Sequence, residues 1–599
     1  MEATDKTSSS SRGVRYEYEP LNSKVTFRIL ELLPGNEDDP VSYRLHAANW
    51  DPPPPYEAIS YAWGDVNDTT LSFCHGLPLF ITRSLKDGLV AMRFKDRSRL
   101  LWADAICIDQ SNYAERGHQV SQMRLIYEKA TNVLVWLGSD VDERAGKAMH
   151  MMNAIADDST KKATGNAYES RAGLRKVDEL WDVLPQRMLK GPLYSNTDNW
   201  RTLAWFFSRP WFNRLWVIQE VNSNPNVEVL CGGNQISWDV VALGASYIER
   251  HPKIYLFYDF PASYYRNAYY MRRRLWFREV TLPSLLNWGR SFRATDPLDR
   301  VYALMGMPTF SKMSDPLRVD YSITPVELGQ RVAVRCIKDM QSLRILYYAQ
   351  HFREGEKFPS WIPRWDREEQ YRPINDTLKK VRWKASGDFK PEFSFGKGTL
   401  KLDGAEFDVI KSCVPLGECS WLDDESMSDH PILKFLETHS MDSAYPTGCK
   451  SLDAFSVSLT TGLGVNLRKA SEDMVSFEAN FAAYLNYLLH QTGRVRCITS
   501  TLKARAKLGD SFEYESLVRK KGRNRSLFST EGGFIGLGPP HCNPGDRVCI
   551  LFGGEVPFVL RPVDGCYQLV GDAYVHGIME GEALNMPGFE GTKGCFEIV

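Results

Sequence analysis

The chain has 599 residues, of which 43% are hydrophobic and 25% are charged, a balance that is ordinary for globular protein. This length predicts about three or four domains, and such domains bury cores large enough to be stable without disulfides or structural metals. The 73 basic residues nearly balance the 74 acidic ones, which excludes the strongly basic profile of a general nucleic-acid or anionic-membrane binder.

The N-terminus argues against export. Residues 1–12 are polar and rich in serine, and they lack the apolar segment that a secretory signal needs. No run of about 18 apolar residues occurs, so we predict no membrane span. The 12 cysteines are scattered without paired metal-ligand spacing. We therefore expect reduced thiols, no metal site and a cytoplasmic protein.

The first predicted elements lie in residues 1–50. Residues 1–15 are predicted to be disordered because they are polar and of low complexity. Two alternating stretches, separated by the turn-rich segment 34–40, then predict a β-hairpin within residues 16–50. Their apolar positions are Val25, Phe27 and Ile29 in one stretch and Val41, Tyr43 and Leu45 in the other.

From Tyr56 onward, short apolar runs alternate with helical stretches. The runs are 56–63, 100–108 and 133–137. Before the last run, residues 115–130 have helical spacing that brings four apolar side chains onto one face: Val120, Met123, Tyr127 and Ala130. This alternation predicts a parallel sheet with helices on both faces. We assign residues 51–240 to this α/β domain, with a more polar, helical insertion at 140–200.

Two further regions complete the predicted organisation. Residues 241–384 are predicted to be mainly helical, and residues 385–599 to form an α+β region. Short β-like runs broken by glycine and proline predict a small antiparallel β-module at about 525–599.

Three segments resemble the signature blocks of the fungal heterokaryon incompatibility (HET) domain. They are YEAISYAWGD at 56–65, LWADAICIDQ at 101–110 and WFNRLWVIQE at 211–220. Their occurrence in one chain and in the family's order is a far stronger signal than any one block. Ala103 departs from the larger residue expected there, and three later segments, 294–306, 359–365 and 545–577, resemble sequence that commonly follows the domain.

The resemblance implies a role in fungal non-self recognition with programmed cell death as its output. The implied partners are other incompatibility or signalling proteins, or further copies of the chain, and no nucleic acid is implied. A HET domain is also distantly similar to TIR domains, whose sheet is flavodoxin-like. In both, a late helix carries a tryptophan and a glutamate four residues apart, here Trp216 and Glu220, although Val217 stands where TIR domains have a cysteine.

The implied fold class is therefore α/β, with a TIR/flavodoxin-like parallel sheet, a mainly helical region and a small C-terminal β-module. Some TIR domains cleave NAD through an oxocarbenium-like transition state, which a nearby carboxylate stabilises. The resemblance implies NAD as substrate and Glu220 as the catalytic carboxylate. Ligands of doubly wound sheets bind at the carboxyl ends of the strands. The residues expected in that crevice are Tyr61, Trp63, Gly64, Asp104, Asp109, Gln110 and Trp216.

Each of these residues has a structural alternative. Trp216 has the spacing of a core aromatic residue, and Glu220 has Arg214 or Arg116 as a possible ion-pair partner. For Asp104 and Asp109 the structural alternative is a loop-capping role, in which the carboxylate accepts hydrogen bonds from nearby backbone N–H groups. The strand end at Trp63-Gly64 is also consistent with tight packing and a glycine turn. The alternative function is a non-catalytic interaction module with no enzymatic activity.

Overall fold

The computed structural model describes thirteen stretches and four single residues of the chain. They are residues 15–21, 26–50, 52–164, 184, 188–251, 253–254, 258, 260, 262–272, 280–311, 313, 317–350, 358–375, 383–396, 398–419, 430–494 and 499–599. The segment predicted to be disordered, 1–15, lies outside them except for its last residue. The chain divides into two compact units, one comprising Met1–Val280 with Ser291–Ser322 and the other Thr281–Arg290 with Ile323–Val599.

The first unit is built on a nine-stranded mixed sheet. Its strands are β1 (Thr26–Leu32), β2 (Ser42–Asn49), β3 (Glu57–Tyr61), β4 (Thr69–Cys74), β5 (Leu77–Thr82), β6 (Arg99–Trp102), β7 (Val133–Trp136), β8 (Val227–Cys231) and β9 (Asn234–Ser237). Their spatial order is β5-β4-β2-β1-β6-β3-β7-β8-β9. Four neighbours, β6, β3, β7 and β8, are parallel, which confirms a parallel sheet in this part of the chain.

Burial explains why these strands stand at the centre. The four residues of β7, Val-Leu-Val-Trp, are all buried, as expected for a parallel strand that is covered on both faces. On one edge, β1 and β2 pair in antiparallel fashion, and β1 also pairs with β6. A buried ion pair between Arg28 of β1 and Glu115 (2.5 Å) ties this edge to the domain.

Helices of the first unit cover the sheet. They are α1 (Arg83–Met92), α2 (Asp104–Cys107), α3 (Tyr113–Lys129), α4 (Arg144–Thr164), α5 (Pro192–Ser195), α6 (Thr197–Phe207), α7 (Val217–Asn222), α8 (Trp238–Arg250) and α9 (Ala262–Arg272); beyond α10 (Leu282–Gly289) of the second unit come α11 (Asp299–Tyr302) and α12 (Pro308–Ser311). The predicted apolar face of α3 is buried at Val120, Met123, Tyr127 and Ala130. The apolar run 100–108 is not continuous strand, because β6 ends at Trp102 and the one-turn helix α2 follows.

The second unit combines helices with a second sheet. Its helices are α10, α13 (Pro325–Met340), α14 (Pro431–Thr438), α15 (Ser451–Leu459), α16 (Met474–Gln491), α17 (Ser500–Ala506) and α18 (Ser511–Gly522). Short 3-10 helices occur along the whole chain at Pro210–Asn213, Arg344–Tyr348, Val465–Leu467, Ala470–Glu472, Glu582–Asn585 and Phe589–Thr592. The elements from α8 to α13 confirm a helical middle region.

The second sheet confirms a C-terminal β-structure. Its strands are β10 (Phe393–Gly396), β11 (Thr399–Pro415), β12 (Ser526–Thr530), β13 (Ile535–Gly538), β14 (Arg547–Leu551), β15 (Phe558–Val563), β16 (Cys566–Asp572), β17 (Tyr574–Val575) and β18 (Lys593–Ile598). The strand order is β14-β15-β16-β18-β11-β12-β13-β17, and β14 also pairs with β11, so the first five strands close into a ring. The predicted module of 525–599 left out β11, because its partners β12, β14 and β18 are more than a hundred residues away in sequence.

A buried ion pair lies inside the second unit. Nη2 of Arg525 donates to Oδ1 of Asp572 over 2.9 Å, and the two side chains are 1% and 0% exposed. Nη2 of Arg525 also donates to the carbonyl oxygen of Arg372 (2.7 Å), and Oδ2 of Asp572 accepts from the backbone N–H of Ile374 (2.7 Å). Removal of one partner from such a pair leaves a charge buried without compensation.

We predict that Asp572→Ala lowers the free energy of unfolding of the second unit by about 3–5 kcal/mol, because the guanidinium of Arg525 then stays buried without its counter-charge. The matched control is Glu597→Ala, which removes the exposed partner of Lys401 (2.9 Å) and should change stability little. Equilibrium urea unfolding measures both. Equal losses in the two variants would contradict the prediction.

Candidate functional site

A pocket of about 1120 Å³ lies in the first unit at the carboxyl ends of three parallel strands. Its lining includes the residues that follow β3 (Ala62, Trp63 and Gly64), β6 (Asp104) and β7 (Leu137 and Gly138). Since β6 and β7 flank β3 on opposite sides, the order of the strands reverses at β3. Doubly wound sheets bind their ligands at this kind of position.

Five of the eight residues that sequence reasoning assigned to a site line this pocket. They are Trp63, Gly64, Asp104, Gln110 and Trp216. The other three, Tyr61, Asp109 and Glu220, are not among the lining residues.

Asp104 joins the ends of β3 and β6. Its Oδ2 accepts a hydrogen bond from Nε1 of Trp63 (2.9 Å), and its Oδ1 accepts from the backbone N–H of Ala105 (2.8 Å) at the start of α2. The side chain of Gln110 donates to the carbonyl oxygen of Asp104 (2.9 Å). Burial raises the pKa of Asp104, and the charge of Arg214 and the indole of Trp63 act in the opposite direction. Asp104 therefore begins the helix α2 and presents a carboxylate to the pocket.

Glu220 of α7 is buried behind the pocket wall. Its side chain is 1% exposed and accepts a hydrogen bond from Oγ of Ser60, in β3. The same hydroxyl accepts from Nε1 of Trp211 (2.7 Å), so one serine connects the first and last residues of the third signature block. Burial raises the pKa of Glu220 to about 7, although the charge of Arg214 lowers it.

The two other predicted residues have local structural contacts. Tyr61 is 2% exposed at the end of β3, and burial together with the charge of Asp104 raises its pKa. Oδ1 of Asp109 accepts from the backbone N–H (3.0 Å) and the hydroxyl (2.6 Å) of Ser111, which closes the turn before α3.

Sequence reasoning missed most of the charge in the pocket. Five arginines line it: Arg116, Arg209, Arg214, Arg293 and Arg300. Two of them stand in segments that carry the family resemblance, Arg214 in the third signature block and Arg300 in 294–306. From the sequence alone, Arg214 and Arg116 were candidates only as ion-pair partners of Glu220. Attention to the charged residues of 294–306 would have found Arg300, whereas Arg209 and Arg293 follow only from the fold.

The segment 291–322 supplies one wall of the pocket. Asp299 lines it and accepts from Nε1 of Trp216 (3.0 Å) and from the hydroxyl of Tyr321 (2.8 Å). Burial raises the pKa of Asp299, and these two hydrogen bonds lower it. The segment is fixed at Gly306, whose backbone N–H donates to Oε1 of Gln219 (3.2 Å). A Cβ at Gly306 would lie 2.5 Å from the Gln219 amide, so this close approach requires glycine.

The described residues contain neither a helix that could span a membrane nor a cluster that could hold a metal ion. None of their helices combines the length and the apolar character that crossing a bilayer requires. Nor do their histidine, cysteine, aspartate and glutamate side chains form a group of three or more that is arranged to hold a metal ion.

The raised pKa of Glu220 predicts a pH-dependent stability. In the unfolded chain a glutamate has a pKa of about 4.3, whereas burial raises the pKa of Glu220 in the folded chain to about 7. Between these values the folded state binds more protons, so stability falls as the pH rises. Glu220→Gln removes this loss, and from pH 5 to pH 8 the free energy of unfolding of the variant should improve against the wild type by about 2–3 kcal/mol.

The measurement is urea unfolding of both proteins at several pH values. Glu128→Gln, at a side chain that is 51% exposed on α3, is the control and should leave the pH dependence unchanged. A difference between Glu220→Gln and wild type that stays constant from pH 5 to pH 8 would rule out the titration.

Comparison with known proteins locates two family domains. The family described as Heterokaryon incompatibility protein (HET) matches residues 56–220, and the Het-6 beta-barrel domain matches residues 464–587. The second match contains β12 to β17 but leaves out β11 and β18 of the same ring. The heterokaryon incompatibility protein 6, OR allele, of Neurospora crassa is 24% identical to this chain over 688 aligned positions, which cover 97% of this chain and 98% of that protein. No solved structure matches the chain significantly. The chain therefore contains a heterokaryon incompatibility (HET) domain at residues 56–220 and a Het-6 beta-barrel domain at residues 464–587.

Proposed function

We propose that this chain acts in heterokaryon incompatibility, the rejection of fusion between unlike fungal strains, and that its HET domain produces the signal. The observation that carries this proposal is the similarity to incompatibility protein 6 along nearly the whole chain. The test is genetic. Deletion of the chain from one of two incompatible strains should let fused cells survive, and an unchanged rejection would contradict the proposal. Programmed cell death as the output belongs to the same proposal.

A relationship to TIR domains is the second part of the proposal. Numbered in chain order, the parallel strands β3, β6, β7 and β8 have the spatial order 2-1-3-4. This agrees with the first four strands of the flavodoxin-like order 2-1-3-4-5. The antiparallel strands on both edges would then be additions to that core. The match supports a common core and leaves the chemistry to be tested.

NAD cleavage is the proposed chemistry. Water replaces nicotinamide at the ribose carbon, which gives ADP-ribose, nicotinamide and a proton, and positive charge develops on the ribose in the transition state. A carboxylate at the pocket surface can stabilise that charge. Asp104 suits this role because it lines the pocket, whereas Glu220 is enclosed behind Ser60. We therefore propose Asp104 as the catalytic carboxylate and Glu220 as a residue that positions the wall.

The prediction is that the purified full-length chain releases nicotinamide from NAD at concentrations that permit self-association. Asp104→Asn should lower the rate about 100- to 1000-fold, because it removes the charge that stabilises the transition state. Glu220→Gln should keep most of the activity. The control is Asp198→Asn, at a side chain that is 84% exposed on α6, and it should have no effect. Nicotinamide is quantified by liquid chromatography.

Other results would redirect the proposal. Loss of activity in Glu220→Gln, with activity retained in Asp104→Asn, would return the catalytic role to Glu220. A folded wild-type chain that releases no nicotinamide would contradict NAD cleavage. It would favour the alternative function, a non-catalytic interaction module.

A further inference from the structure

Arg214 lines the pocket, and its guanidinium has no acceptor among the residues that the structure describes. It is partly exposed, and none of those residues forms an ion pair with it within 4.0 Å. Its backbone is fixed, because its N–H donates to the carbonyl oxygen of Trp211 (3.1 Å) and it forms a β-bridge with Arg293. A partly buried cation held in place with unused donors is suited to an anionic ligand.

Other arginines of the pocket add charge but use donors within the protein. Arg209 donates to the carbonyl oxygens of Leu137 (3.1 Å) and Ser139 (3.1 Å). Arg116 lies 3.8 Å from Asp296 and over the ring of Tyr321. These arginines still contribute positive potential to the pocket, whereas the N–H groups of Arg214 can donate to a ligand.

The acidic residues do not balance this charge. Five arginines and three aspartates line the pocket. Both carboxylate oxygens of Asp299 are engaged by Trp216 and Tyr321, and Asp104 accepts from Trp63. Burial raises the pKa of Asp104 and of Asp299. The pocket is therefore a net cationic environment.

Size and aromatic lining restrict the class of anion. A volume of about 1120 Å³ is large for a single phosphate and is comparable with pockets for ligands of nucleotide size. Four aromatic side chains offer surfaces for a base or a ribose: Trp63, Trp216, Tyr264 and Tyr321. A guanidinium binds phosphate oxygens in bidentate fashion, which suits a diphosphate between two such groups.

We propose that the pocket binds a nucleoside diphosphate group and that Arg214 is the residue that binds its phosphates. This inference rests on the proposed function only in taking the pocket as the working site of the HET domain. It needs no cleavage of NAD, and ADP alone would satisfy it.

The test is calorimetric titration of the full-length chain with ADP-ribose, ADP and adenosine. ADP-ribose and ADP should bind, adenosine should bind at least about tenfold more weakly, and inorganic pyrophosphate should compete with ADP. Arg214→Met should weaken ADP binding about 10- to 100-fold, since it removes charged hydrogen bonds to phosphate, and Arg214→Lys should lie between. Arg201→Met, at a side chain that is 69% exposed on α6, is the matched control and should change nothing.

Two binding results would overturn the inference. One is equal affinity for ADP and adenosine, and the other is unchanged ADP binding by folded Arg214→Met. If Arg214→Met does not fold, the comparison of ADP with adenosine and the competition by pyrophosphate decide the matter on the wild type. ADP binding by a chain that releases no nicotinamide would support this inference and contradict cleavage. Nicotinamide release that neither ADP nor pyrophosphate inhibits would support cleavage and overturn this inference.

Discussion

The carboxylate of Glu220 is enclosed against β3, and its desolvation constrains the wall of the pocket. A carboxyl group out of water needs hydrogen bonds or an opposite charge nearby. Ser60 donates to it and Arg214 lowers its pKa, while the indole of Trp211 fixes the serine hydroxyl from the other side. The chain between Trp211 and Glu220 is thus fixed at both ends on one strand residue. That leaves Arg214 and Trp216 little freedom except to face the pocket.

The helix α7 and the residue before it also contact sequence outside the three signature blocks. The side chain of Gln219 accepts a hydrogen bond from the backbone N–H of Gly306, and the indole of Trp216 donates to Asp299. A segment some eighty residues later in the chain thus completes the wall of the pocket. The HET match ends at residue 220, whereas the compact unit continues through Ser322. A fragment that stops near residue 240 would therefore lack Asp299 and Arg300 and expose the surface on which they pack. Experiments on the pocket need the longer chain.

The sequence pattern predicted those parts of the fold that depend on residues close together in the chain. Apolar runs and a 3.6-residue period indicated the parallel strands and the buried face of α3, and the strand ends placed Trp63 and Asp104 in one crevice. Pairings between distant segments left no such signal. The strand β11 pairs with β12 across more than a hundred residues. The hairpin of β4 and β5 is local, but its positions are mostly exposed or half-exposed and alternate only weakly. Helical spacing placed Trp216 and Glu220 on one face but did not reveal that Ser60 covers the carboxylate.

In the proposed complex, Arg214 would couple ligand binding to protonation. It lowers the pKa of both Asp104 and Glu220 through its charge, without pairing with either. A bound phosphate would neutralise part of that charge and raise both pKa values, and Glu220, at about 7, is poised to take up a proton near neutral pH. By linkage, an anion should then bind more tightly as the pH falls toward 6. The same guanidinium thus lowers the pKa of two carboxyl groups, Asp104 and Glu220, and is the proposed contact for the phosphates of the ligand.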